Sequence, residues 1–241
     1  MIDKSSPIPL YHQIEEVIKQ GIEHGEYQPG DVLPAERVYA EQYQVSRMTV
    51  RQAITNLVNE RYLYRIKGKG TFIAEPKLEQ NLKGLTSFTE DMSARGMKAS
   101  SKISKFDIIP ANRSLAEQLN VDMHTPIYEI KRVRLAEEIP MALERTYIPA
   151  NLIKGLSEER VLSSIYKYAE EQMGLKIKSA TQTLEATIAN KEEIKLLEVD
   201  QGGAPVLLMK RTSKLENGQT FEIVKSSYRA DRYKFMIDLE R

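Results

Sequence analysis

The sequence predicts an α+β protein of two domains, a small helical unit ending in a β-hairpin and a larger unit built on a mostly antiparallel sheet. The chain has 241 residues, more than the roughly 100 to 200 of a typical domain. Residues 10–58 carry three stretches of helical hydrophobic spacing, and residues 62–74 read as two short strands. Beyond residue 84 a helix-and-strand pattern occurs twice.

Composition restricts the class of protein. The chain contains no cysteine, which excludes disulfides and thiolate metal sites. The N-terminus lacks the basic and apolar regions of a secretion signal, and there is no run of about 18 apolar residues to span a bilayer. We therefore expect a cytoplasmic protein with no membrane partner.

The formal net charge of +1 hides a local pattern. Residues 1–44 contain eight acidic and three basic side chains, a net charge of −5. Residues 45–77 contain seven basic and two acidic side chains, a net charge of +5. A basic block in a neutral chain is typical of a phosphate-binding surface, although a solvated helix face would give the same count.

Two helices are predicted before the basic block. The first follows Pro9, and its apolar residues at helical spacing are Leu10, Ile14, Val17, Ile18 and Ile22. It should end near Gly25. Pro34 is expected to open the second helix, and its predicted inward face is Val38, Ala40 and Tyr43. The chain should break at residues 44–45.

A third helix should begin after Ser46, a residue type that caps helix N-termini. Its apolar face is Val50, Ala53, Ile54, Leu57 and Val58. Its first turn presents Arg47, Thr49, Arg51 and Gln52. A recognition helix touches DNA bases with its N-terminal residues, and arginine can bond guanine through two atoms. Solvated arginines on an ordinary amphipathic helix are the alternative.

A basic hairpin is predicted directly behind this helix. Residues 62–66 and 71–74 form its strands, and the turn contains Lys67, Gly68, Lys69 and Gly70. The glycines permit positive φ, and the lysines add positive charge. Together with the two preceding helices, this arrangement is a winged helix-turn-helix.

The segment LPAERVYAEQYQVSRMTVRQAITNLVNERYLYRIKGKGTFIA resembles the DNA-binding domain of the GntR family of bacterial regulators. The resemblance implies operator contacts by the arginine after Pro-x-Glu, by the Ser-Arg pair and by the wing-tip glycine. These positions are Arg37, Ser46, Arg47 and Gly68. We expect a DNA-binding domain over residues 1–76, a linker over 77–84 and an effector domain over 85–241.

The second domain contains an internal duplication. Residues 119–122 precede TPIYEIKR at 125–132, and residues 197–200 precede APVLLMKR at 204–211. Each copy predicts a short helix, a strand and a hairpin, the hairpins turning at residues 137–138 and 217–218. Chance similarity of short strands is the alternative. If the duplication is real, it predicts a ligand cleft between two related halves.

Two features of this domain suit an anionic ligand. Arg132 and Arg134 lie two apart on a predicted strand and therefore on one face of it. Ser163 and Ser164 precede a helical stretch from Ile165 to Met173, and a helix N-terminus offers free N–H groups. More commonly, arginines on a strand are solvated and a serine at a helix start only caps the helix.

Residues 85–236 resemble the UTRA effector domain of the HutC subfamily, which is related in fold to chorismate lyase. The segments GLTSFTEDM, RVRLA, IPMALE, SSIY, GAPVLL and SYRADRY resemble members that respond to amino-sugar 6-phosphates. The resemblance implies a phosphate site at Ser87, Phe88, Thr89, Arg132, Arg134, Ser164 and Tyr166. It implies sugar contacts at Glu144, Glu222 and Tyr228.

The expected function is therefore that of a homodimeric repressor of N-acetylglucosamine use. It would bind a double-stranded palindromic operator and sense glucosamine 6-phosphate or N-acetylglucosamine 6-phosphate. No cofactor or metal is expected. The alternatives are a sensor of another small anion, a C-terminal domain that only dimerises, and a chorismate-lyase-like enzyme. The enzyme is disfavoured because His12, His24 and His124 have no metal-ligand spacing and no nucleophile is paired with a base.

Overall fold

The computed structural model describes residues 2–199 and 203–239, so Asp200 of the duplicated pattern lies outside the described residues. The chain folds as two compact units, Met1–Pro76 and Lys77–Arg241.

The first unit is a winged helix-turn-helix. Its elements are α1 (Leu10–Glu23), α2 (Glu36–Tyr43), α3 (Arg47–Asn59), β1 (Leu63–Ile66) and β2 (Gly70–Ile73). The predicted apolar residues of α3 form its buried face, with Val50, Ala53, Ile54 and Leu57 buried against Ile14 and Ile18 of α1. The third helix and the wing therefore follow the sequence prediction.

The second helix differs from the prediction in its start and its face. It begins at Glu36 rather than at Pro34. Val38 is 43% exposed, whereas Tyr39 is buried beside Ala40. The prediction of Val38 as an inward residue is wrong because an eight-residue helix fits more than one apolar phase. The segment around Val32 also pairs with β2 and adds a third extended segment to the wing. The sequence analysis missed this pairing.

The second unit is built on a six-stranded antiparallel sheet. Its strands are β4 (Ala99–Pro110), β5 (Pro126–Ala136), β6 (Ile139–Pro149), β7 (Ile177–Ile188), β8 (Pro205–Leu215) and β9 (Thr220–Arg229). They lie in the order β4-β5-β6-β9-β8-β7. This order is symmetric about the β6–β9 pair, so the predicted duplication is present as two halves that meet at the centre of the sheet.

Helices cover both faces of this sheet. Each half carries one helix between its first two strands, α5 (Arg113–Leu119) and α8 (Lys191–Leu197), whose leucines lie in two apolar clusters on one face. The other face packs against α4 (Phe88–Ala94), α6 (Glu158–Val161) and α7 (Ile165–Lys167). The predicted helix from 165 to 173 is helical only to residue 172, and its second part, Tyr168–Gln172, is a π-helix.

The segment 77–84 is not simply a linker. Its residues Leu78–Asn81 form β3, which pairs in parallel with β10 (Tyr233–Met236). Gln80 of β3 is buried. The prediction of a linker is corrected for these four residues, because their hydrogen-bonding partner lies far along the sequence and gives no local signal.

Candidate functional sites: a nucleic-acid interface and a ligand cavity

The N-terminus of α3 is exposed and positively charged. Ser46 caps it, since its Oγ accepts the Thr49 N–H at 3.1 Å. Arg47 is exposed, and it makes no ion pair within the described part of the chain. The helix dipole adds positive potential at this end. The first turn of α3 is therefore available to an anionic partner.

Arg51 and Arg37, two further residues predicted to contact DNA, pair with carboxylates within the protein. Arg51 donates to Glu36 through Nε at 3.0 Å and through Nη2 at 2.9 Å. Arg37 donates to Glu41 at 2.9 Å, and both of these side chains are more than half exposed. Exposed pairs of this kind contribute little stability. Both arginines can therefore exchange a carboxylate for a phosphate or a base at low cost.

The exposed face of α3 continues beyond its first turn. Gln52 is exposed and donates to Asn56 at 2.8 Å, and Asn56 donates to the buried Glu15 of α1 at 2.6 Å. Met48 is 65% exposed between Arg47 and Thr49. The sequence analysis missed Met48, although an exposed apolar side chain at this position is suited to a thymine methyl group.

The wing presents the remaining predicted DNA contacts. Lys67, Gly68, Lys69 and Gly70 are all exposed, and φ of Gly68 is +76°. A side chain at Gly68 would be strained in this conformation. Neither lysine has an ion-pair partner among the residues the structure describes. The tip therefore offers two free ammonium groups on a narrow turn.

The second unit contains a cavity of about 40 Å³ on the face of the sheet that packs against α4 and α7. Nine of the ten predicted ligand residues line it: Ser87, Phe88, Arg132, Arg134, Glu144, Ser164, Tyr166, Glu222 and Tyr228. The tenth, Thr89, does not line this cavity, but its hydroxyl accepts a hydrogen bond from Arg134 at 2.8 Å. Strand alternation and the loop before α4 bring these distant residues together.

The positive charge of Arg132 is balanced by a carboxylate within the protein. Its Nε donates to Glu144 Oε1 at 3.1 Å, its Nη2 pairs with the same carboxylate, and its Nη1 donates to the carbonyl oxygens of Val161 and Ser163. Burial favours the neutral form of Glu144, but the charges of Arg132 and Arg134 hold its pKa below the ordinary value. The pair is therefore ionised in the cavity wall.

The positive charge of Arg134 is not paired with a carboxylate among the described residues. Arg134 is 3% exposed, stacks on the Phe88 ring at 4.8 Å and donates to Thr89. Its Nε has no hydrogen-bond partner within the described residues. Burial, and then the charge of Arg132, lower the pKa of Arg134 to about 10. This guanidinium is a buried positive charge that an anionic ligand would stabilise.

Glu222 has a different environment. Its carboxylate accepts hydrogen bonds from the hydroxyls of Tyr166 at 2.6 Å and Ser213 at 3.0 Å. Burial raises the pKa of Glu222 to about 6. The Tyr166 hydroxyl is thus directed at Glu222, whereas the resemblance assigns Tyr166 to the phosphate site. The two carboxylates of the cavity therefore differ, one paired with an arginine and one held by hydroxyls.

The loop before α4 contributes Thr86 and Ser87 to the cavity wall. Ser87 forms a capping box with Glu90 at the start of α4, and Ser164 donates to Ser87 at 3.4 Å. Ser164 also caps α7 by accepting the Lys167 N–H at 3.2 Å. Ser164 therefore caps α7 and also lines the cavity.

Sequence reasoning missed four polar residues of the cavity, Thr86, Thr146, Arg211 and Ser226. Arg211 occupies the position of Arg132 in the second copy of the duplicated pattern, so the repeat contained a signal for it. Its guanidinium donates to Gln182 and to the Thr86 carbonyl, both at 2.9 Å. Ser226 carried no sequence signal, because its importance depends on burial and on strand neighbours.

Among residues 2–199 and 203–239, no group of three or more His, Cys, Asp or Glu side chains is placed to hold a metal ion. Every helix in the same part of the chain falls short of the length and apolarity needed to cross a bilayer.

Sequence comparison matches residues 10–73 to the family described as bacterial regulatory proteins, gntR family, and residues 94–234 to the UTRA domain. The HTH-type transcriptional repressor NagR of Bacillus subtilis (strain 168) is 51% identical over 100% of this chain and 98% of its own length. The mannosyl-D-glycerate transport/metabolism system repressor MngR of Escherichia coli (strain K12) is 34% identical over 97% of each chain.

The solved structures similar to this chain include the crystal structure of PhnF from Mycobacterium smegmatis. Its TM-score is 0.67 at 29% identity, and the match covers 95% of this chain and 98% of that one. The structure of YydK from Bacillus subtilis matches 95% of this chain with a TM-score of 0.61, also at 29% identity.

Proposed function

This chain belongs to the GntR family of bacterial regulatory proteins and carries a UTRA domain, and from this premise we propose that it is a repressor whose operator binding responds to an amino-sugar 6-phosphate. The observation that carries the proposal is Arg134, a buried guanidinium in the cavity wall whose Nε has no hydrogen-bond partner among the described residues. A small anion is the ligand that this charge requires.

The proposed DNA surface is the first turn of α3 together with the wing. Exposure of Arg47, Gln52, Lys67 and Lys69 supports it. Arg37, Ser46, Thr49 and Arg51 complete it, since the exposed pairs of Arg37 and Arg51 can open toward DNA. The wing backbone at Gly68 and Gly70 approaches the duplex without side chains in the way. We propose that two copies of the chain bind a palindromic operator in this manner.

The proposed effector is anchored by its phosphate. Arg134 supplies a buried positive charge, and Ser87 and Ser164, which are hydrogen-bonded to each other, line the same cavity. A phosphate dianion leaving water needs charge-assisted hydrogen bonds of this kind. Thr89 supports the site by holding the Arg134 guanidinium from behind, and Phe88 supports it by stacking.

The sugar ring is proposed to lie over the centre of the sheet. Glu144, Glu222 and Tyr228 line this part of the cavity, and carboxylates accept hydrogen bonds from sugar hydroxyls. The cavity of about 40 Å³ is smaller than small-ligand sites, about 300 to 1,000 Å³, so the side chains of its wall must move when the sugar binds. An amino-sugar 6-phosphate has both the phosphate and the hydroxyls that the two ends of the cavity require.

Coupling to DNA is proposed to run through the segment before α4. Arg211 in the cavity wall holds the Thr86 carbonyl, the Thr86 hydroxyl donates to Asp91 at 2.7 Å, and Gln80 of β3 donates to Asp91 at 2.7 Å. A ligand that binds two arrangements of this segment differently shifts the equilibrium between them. The coupled movement is expected between residues 75 and 84, which connect to the DNA-binding unit.

Calorimetry with full-length protein tests the effector site. We expect N-acetylglucosamine 6-phosphate to bind and unphosphorylated N-acetylglucosamine to bind at least about 100-fold more weakly, because Arg134 would lose a charge-assisted partner. Arg134→Ala should abolish the difference between the two sugars. Arg113→Ala, which changes an exposed arginine of α5, is the control. Equal affinity for both sugars in the wild type would overturn the phosphate site.

A further inference from the structure

A hydrogen-bond chain in the first unit connects a buried carboxylate of α1 with the exposed face of α3. Asn56 Nδ2 donates to Glu15 Oε1 at 2.6 Å, and Gln52 Nε2 donates to Asn56 Oδ1 at 2.8 Å. Glu15 is 4% exposed, and its other oxygen lies 3.7 Å from His12 Nδ1. Gln52 is exposed. Because Gln52 and Asn56 are four residues apart, they are neighbours on one face of the helix.

Glu15 sets the direction of this chain. At neutral pH a glutamate side chain is a carboxylate, which only accepts hydrogen bonds. Asn56 must therefore turn its NH2 group toward Glu15, which leaves its carbonyl oxygen to accept from Gln52. Gln52 must in turn donate through its own NH2 group. Turning either amide over would place two acceptors against each other.

The carbonyl oxygen of Gln52 is the free end of the chain. Gln52 Oε1 accepts no hydrogen bond from the residues that the structure describes, and the side chain is exposed. A glutamine without internal contacts can turn its amide over and present either a donor or an acceptor. With Nε2 held by Asn56, Gln52 keeps its oxygen available to a partner.

The edges of the bases in the major groove differ in the group that such an oxygen would meet. Adenine and cytosine carry an amino group there, whereas guanine O6 and thymine O4 are acceptors. An acceptor held in one orientation bonds the amino group and is repelled by the carbonyl oxygen. Since each base pair carries its major-groove amino group on one strand only, this acceptor distinguishes the two orientations of a base pair.

We propose that Glu15 and Asn56 are positioning residues that hold Gln52 as a hydrogen-bond acceptor, which makes the protein select adenine or cytosine over guanine or thymine at the base facing Gln52. The proposal rests on the DNA surface proposed above. Glu15 is buried against α3 and acts only through Asn56 and Gln52. The identity of this base is thus determined partly from the packed side of the recognition helix.

Fluorescence anisotropy with the full chain tests the proposal. The DNA is a palindromic operator selected from random sequence with this protein, with each position then changed to the other three bases in both half-sites. The base pair that Gln52 contacts is the one at which Gln52→Ala removes the preference. There the wild type should bind adenine or cytosine at least about fivefold more tightly than guanine or thymine. This ratio does not depend on the fraction of protein that is folded.

Three variants test the positioning chain. Glu15→Gln keeps the shape of the side chain but can donate as well as accept, so the chain can reverse and the preference should fall below about twofold. Adding Asn56→Asp to Glu15→Gln should restore the preference, because an aspartate accepts from both the new Gln and Gln52. Glu16→Gln, the adjacent glutamate, which is half exposed and 3.6 Å from Lys19, is the matched control and should leave the preference unchanged.

The outcomes separate this proposal from the proposed function. If Gln52→Ala alters the preference at no base pair while the operator is still bound, Gln52 does not read a base and the proposal is wrong. A preference for guanine or thymine at that base, or an unchanged preference in Glu15→Gln, would also overturn it. In these cases the repressor function stands. Failure to select any specific DNA would overturn the proposed DNA surface and this proposal together.

Discussion

At the scale of single residues, the neighbouring arginines of β5 differ in how their charges are balanced. Among the described residues, Arg132 is paired with Glu144, whereas Arg134 makes no ion pair and its Nε has no hydrogen-bond partner. Removing one member of a buried ion pair leaves the other charge uncompensated, while removing an uncompensated charge relieves that cost. Arg134 is therefore expected to lower the stability of the protein without ligand, and the proposed anionic ligand would offset that cost.

Arg134→Met should accordingly raise the free energy of unfolding of the ligand-free protein by about 1 to 2 kcal/mol, because an apolar side chain replaces an unpaired buried charge. Arg132→Met should lower it by about 3 to 5 kcal/mol, because Glu144 would be left buried without its partner. Urea denaturation of the two variants checks this. A loss of stability in both variants would contradict the assignment of Arg134 as the uncompensated charge.

The basic residues of the first unit should also have separable roles. Arg47, exposed at the start of α3, is expected to read a base, so Arg47→Ala should cost about 1 to 3 kcal/mol and relax preference at one base pair. Lys69 of the wing is expected to meet phosphate, so Lys69→Ala should weaken all sequences alike and reduce the salt dependence. Binding to a set of single-base operator variants distinguishes them. Uniform weakening by Arg47→Ala would argue against base reading.

At the scale of elements, β3 ties the cavity to the chain that leads to the DNA-binding unit. Gln80 is the residue of β3 that contacts Asp91 of α4. Gln80→Ala should leave effector affinity within about twofold, because Gln80 does not line the cavity, but should reduce the effect of the effector on DNA affinity by about 1 kcal/mol or more. Glu79→Ala, on the same strand but exposed and paired with Lys234, is the control.

Parallel titrations of effector and DNA measure that coupling. An unchanged effector response in Gln80→Ala, or an equal reduction in Glu79→Ala, would show that the path does not run through the Gln80–Asp91 contact.

The elements also show what sequence can predict. Strand alternation placed Arg132 and Arg134 on one face, and the residue type at Ser46 predicted the start of α3, because both depend on local geometry. The pairing of β3 with β10 could not be predicted, since it joins segments about 150 residues apart. In α2, one apolar phase placed Val38 inward, and only tertiary packing selects Tyr39.

The sequence likewise predicted part of the cavity and not the rest. The duplicated pattern pointed to a cleft between two halves, and the cavity lies where the halves meet. It did not show which polar groups are compensated. That Arg132 is paired, that Arg134 is not, and that Ser226 is buried without a partner all depend on distances between strands that are separated in sequence.

At the scale of the whole molecule, one recognition helix reads too few base pairs to select a single site. We therefore expect a homodimer whose two recognition helices are about one helical turn of DNA, ~34 Å, apart. Sedimentation of the protein with a palindromic site and with its half-site tests this. Two chains per palindrome, with much weaker binding to the half-site, is the expected result. One chain bound equally well to both would contradict it.

The central claim is that occupancy of the cavity controls DNA binding. The most direct measurement is fluorescence anisotropy of a palindromic operator, selected from random DNA with this protein, titrated with N-acetylglucosamine 6-phosphate. The account predicts at least about a fivefold loss of operator affinity in the wild type and no change in Arg134→Ala, whose operator affinity without ligand stays normal. An operator affinity that does not change while calorimetry shows the cavity to be occupied would contradict the account.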